Sequence, residues 1–199
     1  MSYRVKEMVY TLQGEGANAG AAVVLCRFEG CNLDCSFCDT DYTGVNGPSG
    51  GEFPTAAALA EAAYQCWLGD DLSRRILCTG GEPLLQLDSE LVDSLHERGF
   101  EILLETNGTL TAPDGIDWIC VSPKAGEDPV IRKGNELKLA YPQEGVNPEK
   151  YSDLNFTYYY IQPISGENLT MNIRLAVEYC QKHPQWRLSL QLHKYTGIP

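Results

Sequence analysis

The chain of 199 residues lacks any uninterrupted apolar run of about 18 residues, the length that a membrane-spanning helix requires. Its first residues, Met1 to Lys6, contain no apolar segment of the kind that a secretory signal has. These two absences predict a cytoplasmic protein that does not associate with a membrane.

Positive charge is also scarce. Lys and Arg total 15 against 27 Asp and Glu, which gives a formal net charge of −12 at pH 7. The basic residues are scattered along the chain, whereas binding to nucleic-acid phosphates depends on clustered Lys and Arg. We therefore expect no nucleic-acid partner. The net charge does not exclude small anionic substrates, because binding them needs only local positive charge.

Internal repeats, low-complexity tracts and interdomain linkers are absent as well. With 43% hydrophobic and 21% charged residues, the composition is typical of a globular protein. A chain of this length can bury a sizeable core. We expect residues 1–199 to form a single domain.

Apolar segments with strand-like and helix-like patterns alternate along the chain. Strands are predicted over 4–12, 21–28, 75–79, 101–105, 118–122, 136–140, 158–162 and 187–191, and helices over 54–67, 88–98 and 169–183. Such alternation predicts a parallel sheet with functional loops at the carboxyl ends of its strands. A complete eightfold barrel needs about 250 residues. The sequence therefore predicts an α/β fold, a partial TIM-like barrel of about six parallel strands with few helices.

Three of the eight cysteines, Cys31, Cys35 and Cys38, follow the strand predicted over 21–28 with the spacing C-x3-C-x2-C. Such clustering indicates metal binding in a reducing compartment rather than disulfides, and thiolates suit zinc, copper(I) or iron–sulfur centres. No fourth Cys or His lies close in sequence, although structural zinc and ordinary clusters both take four protein ligands. The pattern favours a four-iron cluster with one iron open to a substrate. A non-catalytic binding module, with zinc held by these cysteines and a distant histidine, is the alternative.

The cysteine loop, with Phe37 before its last cysteine, resembles the signature loop of the radical S-adenosylmethionine (SAM) enzymes. Gly80-Gly81-Glu82-Pro83, after the apolar segment 76–79, resembles the second motif of that superfamily. The resemblance implies that the three cysteines hold a [4Fe-4S] cluster whose open iron binds SAM. Reduction of SAM then yields a 5′-deoxyadenosyl radical, so no side chain is expected to act as the catalytic group.

The same resemblance implies a set of SAM-binding residues. Phe37 would lie beside the adenine, and Gly80 and Gly81 would let the backbone approach the cofactor. Glu82 would accept a hydrogen bond from the SAM ammonium, and Lys124 would offer a cation to its carboxylate or ribose. The complete set is Phe37, Cys38, Asp39, Gly80, Gly81, Glu82, Asn107, Ser122, Pro123, Lys124 and Gln162.

Further motifs narrow the resemblance, nearly end to end, to the 7-carboxy-7-deazaguanine synthase family. They are Leu12-Gln13-Gly14-Glu15-Gly16, Cys38-Asp39-Thr40, Glu105-Thr106-Asn107-Gly108, Val121-Ser122-Pro123-Lys124, Ile161-Gln162-Pro163 and Gln191-Leu192-His193-Lys194-Tyr195. This resemblance implies a radical SAM lyase of queuosine biosynthesis. Such an enzyme converts 6-carboxy-5,6,7,8-tetrahydropterin to 7-carboxy-7-deazaguanine with loss of ammonia. A homodimer and a flavodoxin-type electron donor are also implied.

Carried onto this sequence, the family implies a substrate site and a magnesium ion. Arg27 would bind the substrate carboxylate in the two-point geometry of a guanidinium. Thr40 would bind Mg²⁺, although Asp39 and Asp41 are stronger ligands by type. Pro199 would contribute its terminal carboxylate if it is the natural end of the chain. The expected substrate-binding residues are Leu12, Gln13, Gly14, Arg27, Thr79, His193 and Pro199.

An activating enzyme for a glycyl-radical protein would share the cysteine loop, and it is the alternative within the same superfamily. The opening segment Gln13-Gly14-Glu15-Gly16 and the closing segment His193-Lys194-Tyr195 disfavour it, because both belong to the resemblance described above.

Overall fold

The computed structural model describes residues 2–70 and 73–199. Its strands are β1 (Tyr3–Leu12), β2 (Ala22–Phe28), β3 (Gly51–Phe53), β4 (Arg75–Gly80), β5 (Glu101–Thr106), β6 (Trp118–Val121), β7 (Lys133–Tyr141), β8 (Asn155–Pro163) and β9 (Trp186–Leu188). Its α-helices are α1 (Ala56–Cys66), α2 (Ser89–Glu97), α3 (Leu169–Lys182) and α4 (His193–Thr196). Short 3-10 turns occupy Gly16–Asn18, Pro83–Leu85 and Pro148–Tyr151.

All nine strands form one sheet in the order β3-β1-β2-β4-β5-β6-β7-β8-β9. From β2 to β9 every neighbouring pair is parallel, while β1 is antiparallel to both β2 and β3. The prediction of an α/β partial barrel with few helices is confirmed. The first predicted strand is the exception to parallel pairing, because the loop of residues 13–21 returns the chain directly from β1 to the adjacent β2.

The three long helices, α1, α2 and α3, cover one face of the sheet. α1 and α2 pack with the first strands around Val24, Cys26, Ile76 and Ile102, and α3 packs on the last three strands. Because side chains alternate along a strand, each strand also presents residues to the opposite, inner face. That face carries a small apolar cluster with Val23, Leu77 and Leu103 at its centre. Polar side chains follow at the carboxyl ends of the strands.

Local capping explains where the first two long helices begin. The Thr55 hydroxyl accepts a hydrogen bond from the Ala58 amide (3.1 Å), so α1 starts at the next residue. The Asp88 carboxylate accepts one from the Leu91 amide (3.0 Å) and another from the Tyr3 hydroxyl (2.9 Å). Asp88 therefore caps α2 and ties it to β1.

The end of the chain differs from the prediction. The last strand spans Trp186–Leu188 rather than 187–191, and His193 begins the short helix α4, which was not predicted. The Leu192 amide donates to the Gly14 carbonyl (2.8 Å), so the chain leaves the sheet to reach the loop after β1. That contact joins residues distant in sequence, which the local apolar pattern does not encode. β3 was not predicted, because three residues after a glycine-rich loop give no periodic pattern.

Within the described residues, no helix combines the length and the apolar character needed to cross a bilayer.

Candidate active site

A cavity of about 480 Å³ opens on the inner face, where the parallel strands end. It brings together nearly all the residues that the sequence singled out. Those that line it are Leu12, Gln13, Gly14, Arg27, Cys31, Cys35, Phe37, Cys38, Asp39, Thr40, Thr79, Gly80, Gly81, Asn107, Ser122, Lys124, Gln162, His193 and Pro199. Glu82 and Pro123 are not among the lining residues.

The cysteine loop forms one wall of this cavity. Burial raises the pKa of the Cys31 and Cys35 thiols, and repulsion from the Cys38 thiol adds to both shifts. Lys124 opposes the rise at Cys35. Within residues 2–70 and 73–199, however, no three His, Cys, Asp or Glu side chains converge on the position of a single ion.

This spacing bears on which metal group the loop can hold. Tetrahedral zinc needs each thiolate about 2.3 Å from one point. The thiols of the cysteine loop do not converge in this way, and the described residues contain no ligand set that would complete a zinc site. Three thiolates spread along one loop would suit a larger, multi-iron group, and Cys31, Cys35 and Cys38 would hold it. The residues present therefore fit a cluster better than a single zinc ion.

Gly80 and Gly81 allow the end of β4 to lie directly against the start of the cysteine loop. A Cβ atom on Gly80 would lie 2.3 Å from the Phe28 carbonyl oxygen, and Gly80 has a φ of +141°, which favours glycine. A Cβ on Gly81 would lie 2.1 Å from the Gly30 carbonyl oxygen. The Glu82 amide also donates to that carbonyl (2.9 Å). The glycines are thus required by packing, apart from any role toward a cofactor.

Glu82 is buried beneath the cavity. Its carboxylate accepts hydrogen bonds from the Thr106 hydroxyl (2.7 Å), the Asn107 amide (2.8 Å) and the Leu84 amide (3.0 Å). Burial raises the pKa of Glu82, and these hydrogen bonds oppose the rise. In this position Glu82 holds the end of β5, so that the Asn107 side chain donates to Asn32 Oδ1 of the cysteine loop (2.9 Å).

Lys124 supplies positive charge next to the cysteine loop. Its ammonium donates to the carbonyl and the hydroxyl of Ser122, each at 2.7 Å. Burial lowers the pKa of Lys124, while the nearby Cys35, Cys120 and Glu82 oppose that effect. A cation held in this way can bind an anionic group that enters the cavity.

The other side of the cavity is formed by Arg27 and the loop after β1. The guanidinium Nε of Arg27 donates to Glu7 Oε1 (2.7 Å). Gly14 lies against the C-terminal segment, since a Cβ there would be 2.4 Å from Nδ1 of His193. The Thr11 hydroxyl donates to the Pro199 carbonyl (3.3 Å), which brings Pro199 to the cavity.

Lys138, Glu105 and Glu15 form an ion cluster in the same cavity that the sequence analysis missed. The Lys138 ammonium lies 2.8 Å from Glu105 Oε1 and 2.5 Å from Glu15 Oε2. Burial alone would lower the pKa of Lys138, but the two carboxylates outweigh it and raise the pKa well above its ordinary value. The sequence carried one signal for this ion cluster. In β7, two charged residues, Glu136 and Lys138, alternate with leucines.

Asp39 connects the cysteine loop to the C-terminal segment. Its carboxylate pairs with the Lys194 ammonium and accepts a hydrogen bond from Gln191 Nε2 (3.2 Å). Gln191 Nε2 also donates to Glu15 Oε1 (3.0 Å). The residues on either side of Asp39, Cys38 and Thr40, are therefore tied to the C-terminal segment and the loop after β1.

Comparisons with known proteins agree with this geometry. The family model described as the radical SAM superfamily matches residues 25–135. The 7-carboxy-7-deazaguanine synthase of Caulobacter vibrioides is 53% identical, and that of Burkholderia multivorans is 50% identical, each over the full length of both chains. The crystal structure of QueE from Escherichia coli matches with a TM-score of 0.75 at 27% identity, covering 97% of this chain and 95% of that one. The chain therefore belongs to the 7-carboxy-7-deazaguanine synthase family of the radical SAM superfamily.

Proposed function

We propose that the protein converts 6-carboxy-5,6,7,8-tetrahydropterin to 7-carboxy-7-deazaguanine and ammonia as a single domain of residues 1–199. One observation carries this proposal: a single cavity holds the three-cysteine loop on one side and Arg27 with a buried ion cluster on the other. A radical enzyme needs its cofactor and its substrate in contact, away from bulk water.

The cofactor side follows from membership of the radical SAM superfamily, whose enzymes use a [4Fe-4S] cluster and SAM. When bound, these groups supply one-electron chemistry that no side chain of the chain can provide. Cys31, Cys35 and Cys38 would hold the cluster. Because thiols must lose their protons to bind iron, and burial raises the pKa of Cys31 and Cys35, loading of the cluster would release protons.

The SAM-binding role assigned to the neighbouring residues is part of the proposal. Lys124 and Ser122 offer an ammonium and a hydroxyl to the anionic or hydroxyl groups of SAM. Phe37, Asn107 and Gln162 also line the cavity, and the Asn107 side chain is hydrogen-bonded to Asn32 of the cysteine loop. For Glu82 the ammonium-binding role stays a prediction, because three hydrogen-bond donors of the protein already occupy its carboxylate.

On the substrate side, Arg27 would bind the carboxylate through parallel N–H groups. A pterin also presents N–H donors and a carbonyl acceptor along its pyrimidine edge. Glu105 and Lys138 offer complementary groups inside the cavity, an acceptor and a donor. Backbone groups of residues 12–14, together with Thr79, His193 and Pro199, would complete the enclosure.

Three finer assignments belong to the same proposal. Thr40 lines the cavity between Asp39 and Asp41, which supports a Mg²⁺ ion bound there to oxygen ligands and substrate. Cys38 is exposed, which supports electron delivery to the loop by a docked flavodoxin-type donor. A homodimer is proposed from the family resemblance alone.

Substrate affinity tests the proposed role of Arg27 and hence the substrate class. Replacement of Arg27 by Ala should raise KM for the carboxylated pterin at least about tenfold, because a charge-assisted pair is lost. Arg75→Ala is the matched control, since Arg75 pairs with Glu101 (2.8 Å) and lies outside the cavity. An unchanged KM in Arg27→Ala would refute a carboxylate site at Arg27.

A further inference from the structure

Strand β1 contains an irregularity at Lys6 that changes which residues face the cavity. Val5 lies opposite Phe28 of β2 and Glu7 lies opposite Arg27, so Lys6 is an extra residue in the ladder. Val5 and Met8, three residues apart, are both buried against the helices, at 0% and 1% exposure. In a regular strand Glu7 would share the face of Val5. The bulge instead turns Glu7 to the inner face, where Arg27 lies.

The glycine-rich segment that precedes β3 fixes this bulge. The Gly47 amide donates to the Lys6 carbonyl (2.9 Å), and the Met8 amide donates to the Pro48 carbonyl (2.7 Å). Gly47 has no room for a side chain, because a Cβ there would lie 2.7 Å from Glu7 Cβ. The Lys6 ammonium in turn donates to the Thr43 carbonyl (2.9 Å). The backbone groups freed by the bulge are thus hydrogen-bonded, and the position of Glu7 is set by packing.

Glu7 occupies one defined edge of the Arg27 guanidinium. Its Oε1 accepts from Nε at 2.7 Å, and the two side chains are only 27% and 20% exposed. A guanidinium carries further N–H groups at its terminal nitrogens, which can meet a carboxylate in parallel. Occupation of Nε leaves that terminal pair for a ligand. A long side chain held beforehand also loses less conformational entropy when the ligand binds.

We propose that Glu7 is a positioning residue that holds Arg27 ready for the substrate carboxylate. This inference rests on the proposed function, in which Arg27 binds that carboxylate. Glu7 itself is not expected to touch the substrate, because its own negative charge would repel a carboxylate.

The test measures steady-state kinetics of the reconstituted holoenzyme with Glu7→Ala and Glu7→Gln. Glu7→Ala should raise KM for the carboxylated pterin about tenfold and leave kcat within about twofold, since the pair acts on binding. Glu7→Gln keeps an oxygen acceptor at the same place and should recover most of the affinity. Inhibition by a tetrahydropterin without the carboxylate should stay unchanged in both variants. Glu101→Gln, which alters the Arg75 pair outside the cavity, is the control.

Several outcomes would overturn the inference. An unchanged or lowered KM in Glu7→Ala would mean that Glu7 only offsets charge near Arg27. If KM rises as much in Glu7→Gln as in Glu7→Ala, positioning through the hydrogen bond is excluded. If inhibition by the analogue without the carboxylate weakens as much as substrate binding, Glu7 has a general structural role instead. If Glu7→Ala fails to retain iron, the KM of Glu7→Gln decides instead. We expect that KM to rise about twofold to threefold, because a neutral amide oxygen makes a weaker hydrogen bond with Arg27. An unchanged KM in Glu7→Gln would then contradict the inference.

The Arg27→Ala background separates this inference from the proposed function. If Arg27→Ala leaves KM unchanged, the proposed carboxylate site itself fails. If Arg27→Ala raises KM and Glu7→Ala does not, only the positioning role fails. If each single variant raises KM, adding Glu7→Ala to Arg27→Ala should raise KM no further, because Glu7 acts through Arg27.

Discussion

The ammonium group of Lys138 lies 2.8 Å from Oε1 of Glu105, inside the cavity that also receives the cysteine loop. Glu15 approaches the same ammonium from the loop after β1, and Gln13 Nε2 donates to Glu105 Oε1 (2.9 Å). Buried charges are costly unless they are paired and hydrogen-bonded. The ion cluster therefore links β5, β7 and the loop after β1, and its charged groups line the cavity.

Removal of Lys138 should be strongly destabilising. Lys138→Met leaves Glu15 and Glu105 without their shared cation, and breaking a buried pair in this way costs about 3–5 kcal/mol. Urea unfolding, monitored by tryptophan fluorescence under anaerobic conditions, measures the change. Lys150→Met is the control, because Lys150 pairs with Asp128 at the surface (2.5 Å) and should matter little. Equal stability of the two variants would contradict the account of the ion cluster.

Glu15 should make stability dependent on acid pH. Burial by itself would raise its pKa, but the attraction and hydrogen bond of Lys138, with hydrogen bonds from Gln162 and Gln191, lower the pKa from 4.5 to about 2. A carboxyl whose pKa is lowered by folding contributes stability above its unfolded value and loses it as pH falls toward the folded value. The stability advantage of wild type over Glu15→Gln should therefore shrink between pH 5 and pH 3. An advantage that stays constant over that range would contradict the lowered pKa.

Gly81→Ala should disturb the cluster without altering a ligand. The added methyl would lie 2.1 Å from the Gly30 carbonyl oxygen and 2.7 Å from Cys31 Cβ, so the start of the cysteine loop must shift. We expect the reconstituted variant to contain less iron and to show a weaker visible absorbance from the cluster. Gly51→Ala is the control, because its nearest contact would be 3.9 Å from Phe53. Full iron retention by Gly81→Ala would show that the loop tolerates this movement.

Magnesium removal tests the assignment of Thr40. Activity of the anaerobic enzyme should fall in magnesium-free buffer with a chelator and return when Mg²⁺ is added, while the cluster absorbance stays constant. Thr40→Val removes the proposed ligand oxygen and should raise the Mg²⁺ concentration for half-maximal activity by about tenfold, whereas Thr40→Ser keeps the hydroxyl and should behave like wild type. Activity that does not respond to Mg²⁺ would refute this ion.

Local motifs made the cofactor side predictable from the sequence. The spacing of Cys31, Cys35 and Cys38 within one loop indicates a metal group without knowledge of the fold. The strands before Cys31 and before Gly80 have continuous apolar patterns, so their carboxyl ends could be placed together. Neighbouring parallel strands then bring Arg27 and Thr79 side by side, as their register shows.

Long-range relationships explain what the sequence did not reveal. The bulge at Lys6 in β1 depends on hydrogen bonds with the segment around Gly47, which the local sequence of the strand does not encode. Glu15, Glu105 and Lys138 come from three distant segments, and their charges meet because β5 and β7 lie on either side of β6 and the loop after β1 reaches the same cavity. The predicted strand over 187–191 ends early, because the segment that contains His193 is bound to Gly14.

Anaerobic turnover of 6-carboxy-5,6,7,8-tetrahydropterin tests the central claim most directly. The reconstituted protein, supplied with SAM, dithionite and Mg²⁺, should form 7-carboxy-7-deazaguanine, and Cys35→Ala should abolish the product by removing one of the cluster ligands. SAM cleavage without any deazapurine would retain the radical SAM chemistry and contradict the assigned substrate. Product formation that persists in Cys35→Ala would contradict the proposed cluster site.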